Sequence, residues 1–468
     1  MALGNCPVGK PHGKNEAKMG YHMYSYWKTN LYVVLVVAFV GMASFTLVTP
    51  FLPYVLKSMD ITENLATWSG FAYAASFLTS GLMAPVWGSV ADKYGKRIQL
   101  LRSGMGIAVT YALYPLARTP IQFVILRGIT GLMSGFMPAT TSLVATNTPE
   151  EHMGYALGML QAASAAGTIS GPLLGGAMVS GLGIPFTFRL SAVVLIFITI
   201  ASYALLKEEV IAGNQKINII ADVKECFANR DLVAVFVCLF LVQAAIQMTQ
   251  PTLVLYVDEI AQQQGKNSTL ISGTVYSVAG LGTVLGAALA ARQGKSSLPN
   301  ANTTTVNDTV TSSTCSSKIP QISGSKASPL MLRLKSIVRL NASPGQLFTI
   351  GLTGSALAIA LQGTWVNLMA ISGFRMAFGL FNGIVAVAGN VLAAQAVSRD
   401  FRGRAFGVLN GVLPLGSVTG PVIGGAMGDS LGLGSSFYAS GAVFLLSAGV
   451  FKTFGKRKTV QPDQGNNR

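Results

Sequence analysis

Charge is scarce in this chain, and acid is scarcer than base. Only 11% of its 468 residues are charged, 17 as Asp or Glu against 33 as Lys or Arg. A soluble domain carries about 25%, so an ordinary water-facing surface is excluded. The three histidines (His12, His22, His152) all fall outside the apolar runs, and the four cysteines (Cys6, Cys226, Cys238, Cys315) have no metal-ligand spacing. Neither His-based catalysis nor a metal cluster has the residues it needs, and reduced thiols are the default. A nucleotide-driven pump lacks its signature too. Gly294-Lys295-Ser296 ends like a phosphate-binding loop, but Leu289 stands where the first glycine belongs. Missing as well is a carboxylate inside an apolar run: Asp60, Glu63, Glu150, Glu151, Asp258, Glu259 and Asp429 all fall at run ends or between runs. That argues against a substrate site built on a fixed negative charge. Any exchange of protons would fall to Asp92, Asp258, Glu259 or to Arg127 acting through hydrogen-bonded partners or the substrate.

Apolar length is what the chain has in quantity. Hydrophobic residues make up 51%, and runs near the length of a membrane span occur at 31–53, 66–91, 98–117, 121–146, 153–179, 184–206, 232–257, 268–291, 346–366, 368–396, 403–428 and 434–454. The first thirty residues are polar, so the first run serves as an uncleaved insertion signal. Six runs precede a charged stretch and six follow it, and the halves are related. Residues 154–178 return as 403–427, 249 positions on, with 11 of 25 identical. Arg127-Gly-Ile-Thr-Gly131 likewise returns as Arg375-Met-Ala-Phe-Gly379. Two similar bundles that rock about a shared site are the architecture of secondary transporters.

Charge placement gives the orientation. With both termini cytoplasmic, 27 of the 33 Lys and Arg residues fall on the cytoplasmic side, in the tails and in the 2–3, 6–7, 8–9 and 10–11 loops. The basic surplus therefore faces the inner leaflet and membrane lipids, not nucleic acid. The expected organisation is a cytoplasmic tail (1–30), a six-helix bundle (31–206), a central cytoplasmic loop (207–231), a second bundle (232–454) with an insertion at 292–345, and a tail (455–468). The insertion is rich in Ser, Thr, Asn and Pro and reads as disordered. Within it 332–340 is either a basic amphipathic segment on anionic lipid or plain linker.

Four features bear chemistry. Gly88-Ser-Val-Ala-Asp92-Lys-Tyr-Gly95-Lys96-Arg97 joins runs 2 and 3: Gly95 suits a turn needing positive φ, and Asp92 stands where it could meet a helix N-terminus or an arginine. In the second half Ala291 takes Asp92's place. Gly167, Gly171 and Gly175, with Gly176, give run 5 a smooth stripe that Pro172 makes bendable, and Gly420 and Pro421 repeat it in run 11. The stripe fits a gate hinge between bundles or static packing. Arg127 lies about 12 Å into its helix at 1.5 Å per residue, after a Thr119-Pro120 start, where a charge is functional by default. Polar and aromatic side chains of runs 1, 4, 5, 7 and 10, among them Phe45, Phe136, Gln161, Gln247, Arg375, Phe378 and Asn382, are candidates for a wide apolar cavity. Arg127 and Arg375 are both placed facing it.

The string GSVADKYGKR resembles the signature between helices 2 and 3 of the major facilitator superfamily. RGITGLMSG resembles that superfamily's helix 4 motif, and GTISGPLLGGAM the helix 5 motif of its drug:proton antiporters. The resemblance, closest to twelve-helix bacterial multidrug efflux proteins, implies an all-α integral membrane protein of two pseudo-symmetric six-helix bundles. It also implies an Asp92 latch on the outward-facing state, proton coupling through Arg127, a Gly-Pro gate in helix 5, and no cofactor beyond the transmembrane proton gradient. The expected protein is a monomer of the plasma membrane that exports amphipathic small molecules. A carrier for one metabolite (a sugar, nucleoside or lysolipid) and a non-transporting sensor or scaffold are the alternatives.

Overall fold

The computed structural model describes residues 14–61, 63–208, 224–226, 228–294, 343–397 and 402–454. Most of the 292–345 insertion, with its 332–340 segment, lies outside them, as do the C-terminal tail and most of the central loop.

Nine of the twelve runs are single helices: α3 (Leu65–Tyr94), α4 (Lys96–Leu113), α7 (Glu150–Leu182), α8 (Ile184–Leu205), α11 (Ser268–Gly294), α12 (Pro344–Thr364), α13 (Leu368–Gln395), α14 (Arg402–Leu431) and α15 (Ser435–Phe454). The other three are broken in two. Run 1 is α1 (Lys14–Val48) and α2 (Leu52–Lys57), run 4 is α5 (Pro120–Leu132) and α6 (Phe136–Asn147), and run 7 is α9 (Arg230–Met248) and α10 (Gln250–Gln263). The breaks at Thr49-Pro50 and Gln250-Pro251 follow from proline, which removes a backbone donor and crowds the preceding turn. The break in run 4 has no proline at its centre. It turns at Gly135, whose φ of 113° suits glycine.

The starts and stops have local causes. Thr119 Oγ1 accepts from Gln122 N–H at 3.3 Å with Pro120 as the first helical residue. Ser343 and Gln346 form a reciprocal capping box on α12. Asn367 Oδ1 accepts from Met369 N–H at 2.9 Å and starts α13, which separates the nearly continuous runs 9 and 10. Gly95, at φ 99°, ends α3 and opens α4. The polar stretch before residue 31 is helical from Lys14 and continuous with the first span; no proline interrupts residues 14–30.

Among the described residues, eight segments are long and apolar enough by themselves to cross a membrane. The remaining four are held among them: α3 against α5 and α14, α14 against α9, α4 against α8, and α15 against α12 and α9. Leu82, Phe197, Leu357 and Leu445 project outward from the bundle, as side chains facing lipid do. The second half has one large core joining Leu232, Phe348, Phe378, Phe437 and Phe444. The first divides into two, one around Tyr73, Tyr111, Tyr114, Phe123 and Phe188, the other around Trp27, Leu100, Phe136 and Leu143. A small cluster of Phe51, Tyr54, Val179 and Val254 bridges the halves.

Candidate functional site

The halves meet chiefly along two crossings, α3 with α14 and α7 with α11, whose backbones are closest toward the end that carries residues 58–64, 264–267 and 432–434, with side-chain contact continuing to Gly81 with Pro414 and Gly280 with Ile169. Near that end a β-carbon at Gly70 would collide with Pro421 O, and one at Gly273 with Pro172 O. Gly176 lies against Thr269 O, and Gly425 against Ala66 O. These are the same contacts made twice: Pro421, Gly425 and Asp429 each stand 249 residues after Pro172, Gly176 and Ser180, and Thr269, Gly273 and Tyr276 stand 203 after Ala66, Gly70 and Tyr73. Toward the opposite end the helices part. Gly88 on α3, Gly154 and Gly158 on α7, and Gly411 on α14 have nothing within 4 Å of where a β-carbon would stand.

The glycine stripe therefore splits by face. Gly171 and Gly175 press on α1 of their own half, at Ala43 O and Leu47 O, and Gly167 on Phe39 O. In the second half Gly416, Gly420 and Gly424 press on Phe240 O, Ala244 O and Met248 O of α9. Those residues fix each gate helix within its bundle, as small residues do in lipid. The adjacent face, with Ile169, Pro172, Gly176, Pro414, Pro421 and Gly425, touches the other half.

Polar contacts tie the closed end. Asp429 Oδ1 accepts from Ala66 N–H at 3.1 Å and Oδ2 from Thr67 N–H at 2.7 Å, so the second half caps α3 of the first. At the equivalent place on α7, Ser180 accepts from the Asn267 amide just before α11. Lys57 Nζ donates to Asp258 Oδ2 at 2.8 Å and Tyr54 Oη to Oδ1 at 3.1 Å. Asp258, expected just beyond its run, is inside α10 and 4% exposed. The run continues as helix to Gln263, so this carboxylate is buried between halves.

Arg127 and Arg375 are each buried inside their own half, in matching settings. Arg127 lies 6.0 Å from the Tyr73 ring of α3, and its Nη1 donates to Tyr114 Oη at 3.4 Å and Nε to Ala72 O at 3.4 Å. Tyr114 bonds Thr130, which reaches Thr110 at 3.1 Å. Arg375 lies 5.6 Å from the Tyr276 ring of α11 and donates to Gln362 Oε1 at 3.5 Å. Each arginine thus has an aromatic face on the second helix of its half and a polar partner 13 residues earlier in sequence. No hydrogen bond or ion pair to a carboxylate is recorded for either among the described residues. Both arginines, expected at the cavity, are instead surrounded by their bundles.

A cavity of about 550 Å³ opens beside α1 and α3 and passes behind the broken fourth run to α4 and Leu195 of α8. Its wall is mainly apolar, including Met42, Phe45, Ile107 and Phe136, with Ser80, Trp87, Gln99, Ser134 and Ser142 among its polar side chains. Phe45, Phe136 and Gly88 line this cavity, which is walled by the first half alone. The other cavity candidates lie elsewhere: Gln161 is exposed on α7, Gln247 is buried on α9 beside Gly420, and Asn382 is half-buried on α13. Phe378 packs edge-on against Phe444 in the second core.

Two roles were missed in the sequence. Arg102, assigned to the loop, is inside α4: its guanidinium stacks 3.3 Å from the Trp87 ring centroid and donates to Ser134 O at 2.7 Å, while Trp87 Nε1 donates to Leu132 O at 2.7 Å. These bonds satisfy the carbonyls that the break in run 4 leaves free. Glu208, at the end of α8, accepts from Lys96 N–H at 2.8 Å and Arg97 N–H at 2.7 Å, capping α4. Arg97 stacks on Tyr203 at 4.1 Å and donates to Tyr203 O. Asp92 is in the last turn of α3, and its side chain lies outside the described set.

Twelve segments in two related halves, joined by a paired crossing at one end and parted at the other, beside a cavity lined by the first half, define an alternating-access carrier. The family model of the Major Facilitator Superfamily matches residues 34–306 and 340–467, and the chain belongs to that family. It is a multi-pass membrane transporter. Its relatives include the multidrug resistance protein MdtG of Salmonella paratyphi C (strain RKS4594), 31% identical over 428 residues, 90% of this chain and 94% of that one. The same-named protein of Rahnella sp. (strain Y9602) is 28% identical over 429 residues, covering 90% and 92%. Among solved structures, the nucleoside transporter NupG superposes with a TM-score of 0.70 at 12% identity, covering 92% of this chain and all of that one. A bacterial homologue of the human lysosomal transporter Spinster, inward-facing, gives 0.68 at 13% identity, covering 93% and 99%. At those identities the likeness is one of fold.

Proposed function

We propose that the protein exports hydrophobic and amphipathic small molecules across the plasma membrane in exchange for protons, as a monomer with both termini in the cytoplasm. It acts on solutes and lipids, not nucleic acid, and makes or breaks no covalent bond. The observation that carries the reading is the pairing of a sealed end with helices that part at the other, next to an apolar cavity walled by the first half. The positive-inside distribution of Lys and Arg puts the open end toward the cytoplasm, so the conformation is the loading state of an exporter. The relatives named for multidrug resistance, each matched over 90% of this chain and 92% or 94% of its own length, support the substrate class.

Rocking reverses the two ends. Opening the sealed end breaks Lys57–Asp258 and the Asp429 cap and separates the Gly-Pro faces, while the glycine stripes keep α7 on α1 and α14 on α9. Arg127 couples this to protons through Tyr114, Thr130 and Thr110, since its charge is held by hydroxyls and a carbonyl whose bonds can rearrange. Dye export from whole cells, with and without an uncoupler, tests the reading. Export that collapses with the gradient supports it; export that persists without a gradient would contradict proton exchange.

A further inference from the structure

The broken fourth run makes a helix begin inside the bundle. α6 starts at Phe136, and no side chain caps it. The first N–H groups of a helix lack intrahelical partners and carry the positive end of its dipole. Here they belong to Phe136 and Met137, because Pro138 has none. Gly135 leaves them uncovered, and all three of Gly135, Phe136 and Met137 line the cavity.

α4 brings a second, independent feature to the same place. Gln99 is 2% exposed, lines the cavity, and accepts from Arg102 Nε through Oε1 at 3.1 Å. A guanidinium only donates, so this bond fixes which way the amide points. The Nε2 donor is thereby turned to the Gly135 side, where a β-carbon would stand 2.6 Å from it, and it has no partner. Arg102 stands behind, held by Trp87 and Ser134 O. Among the described residues no acid lines this wall. A buried amide donor without a partner, a helix N-terminus and a nearby guanidinium all favour the same ligand chemistry.

We infer that this corner is an oxyanion subsite. It takes the carboxylate or phosphate head of an amphipathic solute on Gln99 Nε2 and the α6 N-terminus, with the apolar tail along Met42, Phe45 and Ile107. The inference rests on the cavity being a solute chamber and adds to it a preference for anionic heads over cationic ones.

The test is calorimetric titration of the full chain in nanodiscs with octanoate, octyl phosphate and octyltrimethylammonium, which share a tail and differ in the head. The anions should bind at least about tenfold tighter than the ammonium, the scale of one hydrogen bond to a charged group. Gln99→Leu should remove that difference. Gln99→Glu, which keeps the acceptor for Arg102 but replaces the donor, should reverse it, so either variant suffices if the other does not fold. The comparison of octanoate with octyl phosphate decides which head the corner prefers. Equal binding of all three probes, unchanged by either variant, would overturn the subsite and leave the chamber standing. Binding of none would overturn both.

Discussion

Two neighbouring glycines should give opposite phenotypes when each becomes alanine. A β-carbon at Gly176 would stand 2.7 Å from Thr269 O and 3.2 Å from Leu270 Cα, across the boundary between halves. One at Gly175 would stand 2.6 Å from Leu47 O and 2.8 Å from Phe51 Cε2, inside its own half. Ordinary contact is at 3.4 Å or more, so both collide with backbone, and overpacking of this kind costs about 1–3 kcal/mol. The difference is in how the collision can be relieved. For Gly176→Ala it disappears when the sealed end opens, so the ratio of inward- to outward-open molecules should fall about 5- to 150-fold with thermal stability near that of the parent. Gly175→Ala has no such escape and should lower the unfolding temperature while leaving the ratio alone. The ratio is read from electron–electron distances between labels at Gly154 and Gly411, two positions with nothing nearby, in a chain freed of its four cysteines. Equal ratios in the two variants, or a shift in Gly175→Ala alone, would refute the division of the stripe into two faces.

Other perturbations follow from the same geometry. Arg127→Ala should abolish gradient-driven efflux in protein that still inserts, and Tyr114→Phe, which removes the Nη1 acceptor, should reduce it; full efflux in Arg127→Ala would take Arg127 out of the mechanism. Lys57→Met leaves the Asp258 carboxylate buried and unpaired, whereas Asp258→Asn leaves a Lys57 that water still reaches. With Lys57 side-chain exposure at 49% and Asp258 at 6%, the lysine variant should weaken the sealed end by about 1–2 kcal/mol more, measured by the same label distances; the reverse order would mean the pair is not a latch. Glu208→Gln should cost about 1 kcal/mol of stability through loss of the α4 cap, visible as a lower melting temperature, and no change would exclude the cap. Asp92→Asn should slow transport without abolishing substrate binding, and unchanged turnover would remove any latch at that position.

What the sequence made readable was periodic or local. Six runs and six more, the repeat at 249 residues, the Gly95 turn, the Thr119-Pro120 start and the paired arginines all depend on spacing or on one residue's backbone chemistry. The breaks at Pro50 and Pro251 were open to the same reasoning, since each proline interrupts an apolar run. The break at Gly135 was not, because a glycine among glycines gives no sign of its φ. Which face of the stripe meets which neighbour also escaped. Gly175 and Gly176 are alike in sequence and differ by about 100° around the helix, and only the packing of α1 and α11 assigns them. Arg102 and Asp429 read as loop or end charges, and Glu208 drew no reading, because their partners (Trp87 and Ser134, the start of α3, the start of α4) are distant in the chain.

The most direct measurement compares reactivity of single cysteines at the two ends during turnover. Ser272, buried on α11 near the sealed end at 1% exposure, and Gly88, exposed at the open end, are the positions. With substrate and a proton gradient present, Ser272→Cys should become reactive to an impermeant maleimide from outside as Gly88→Cys becomes protected. Efflux that proceeds with Ser272→Cys always protected, or with both sites reactive together, would contradict alternating access.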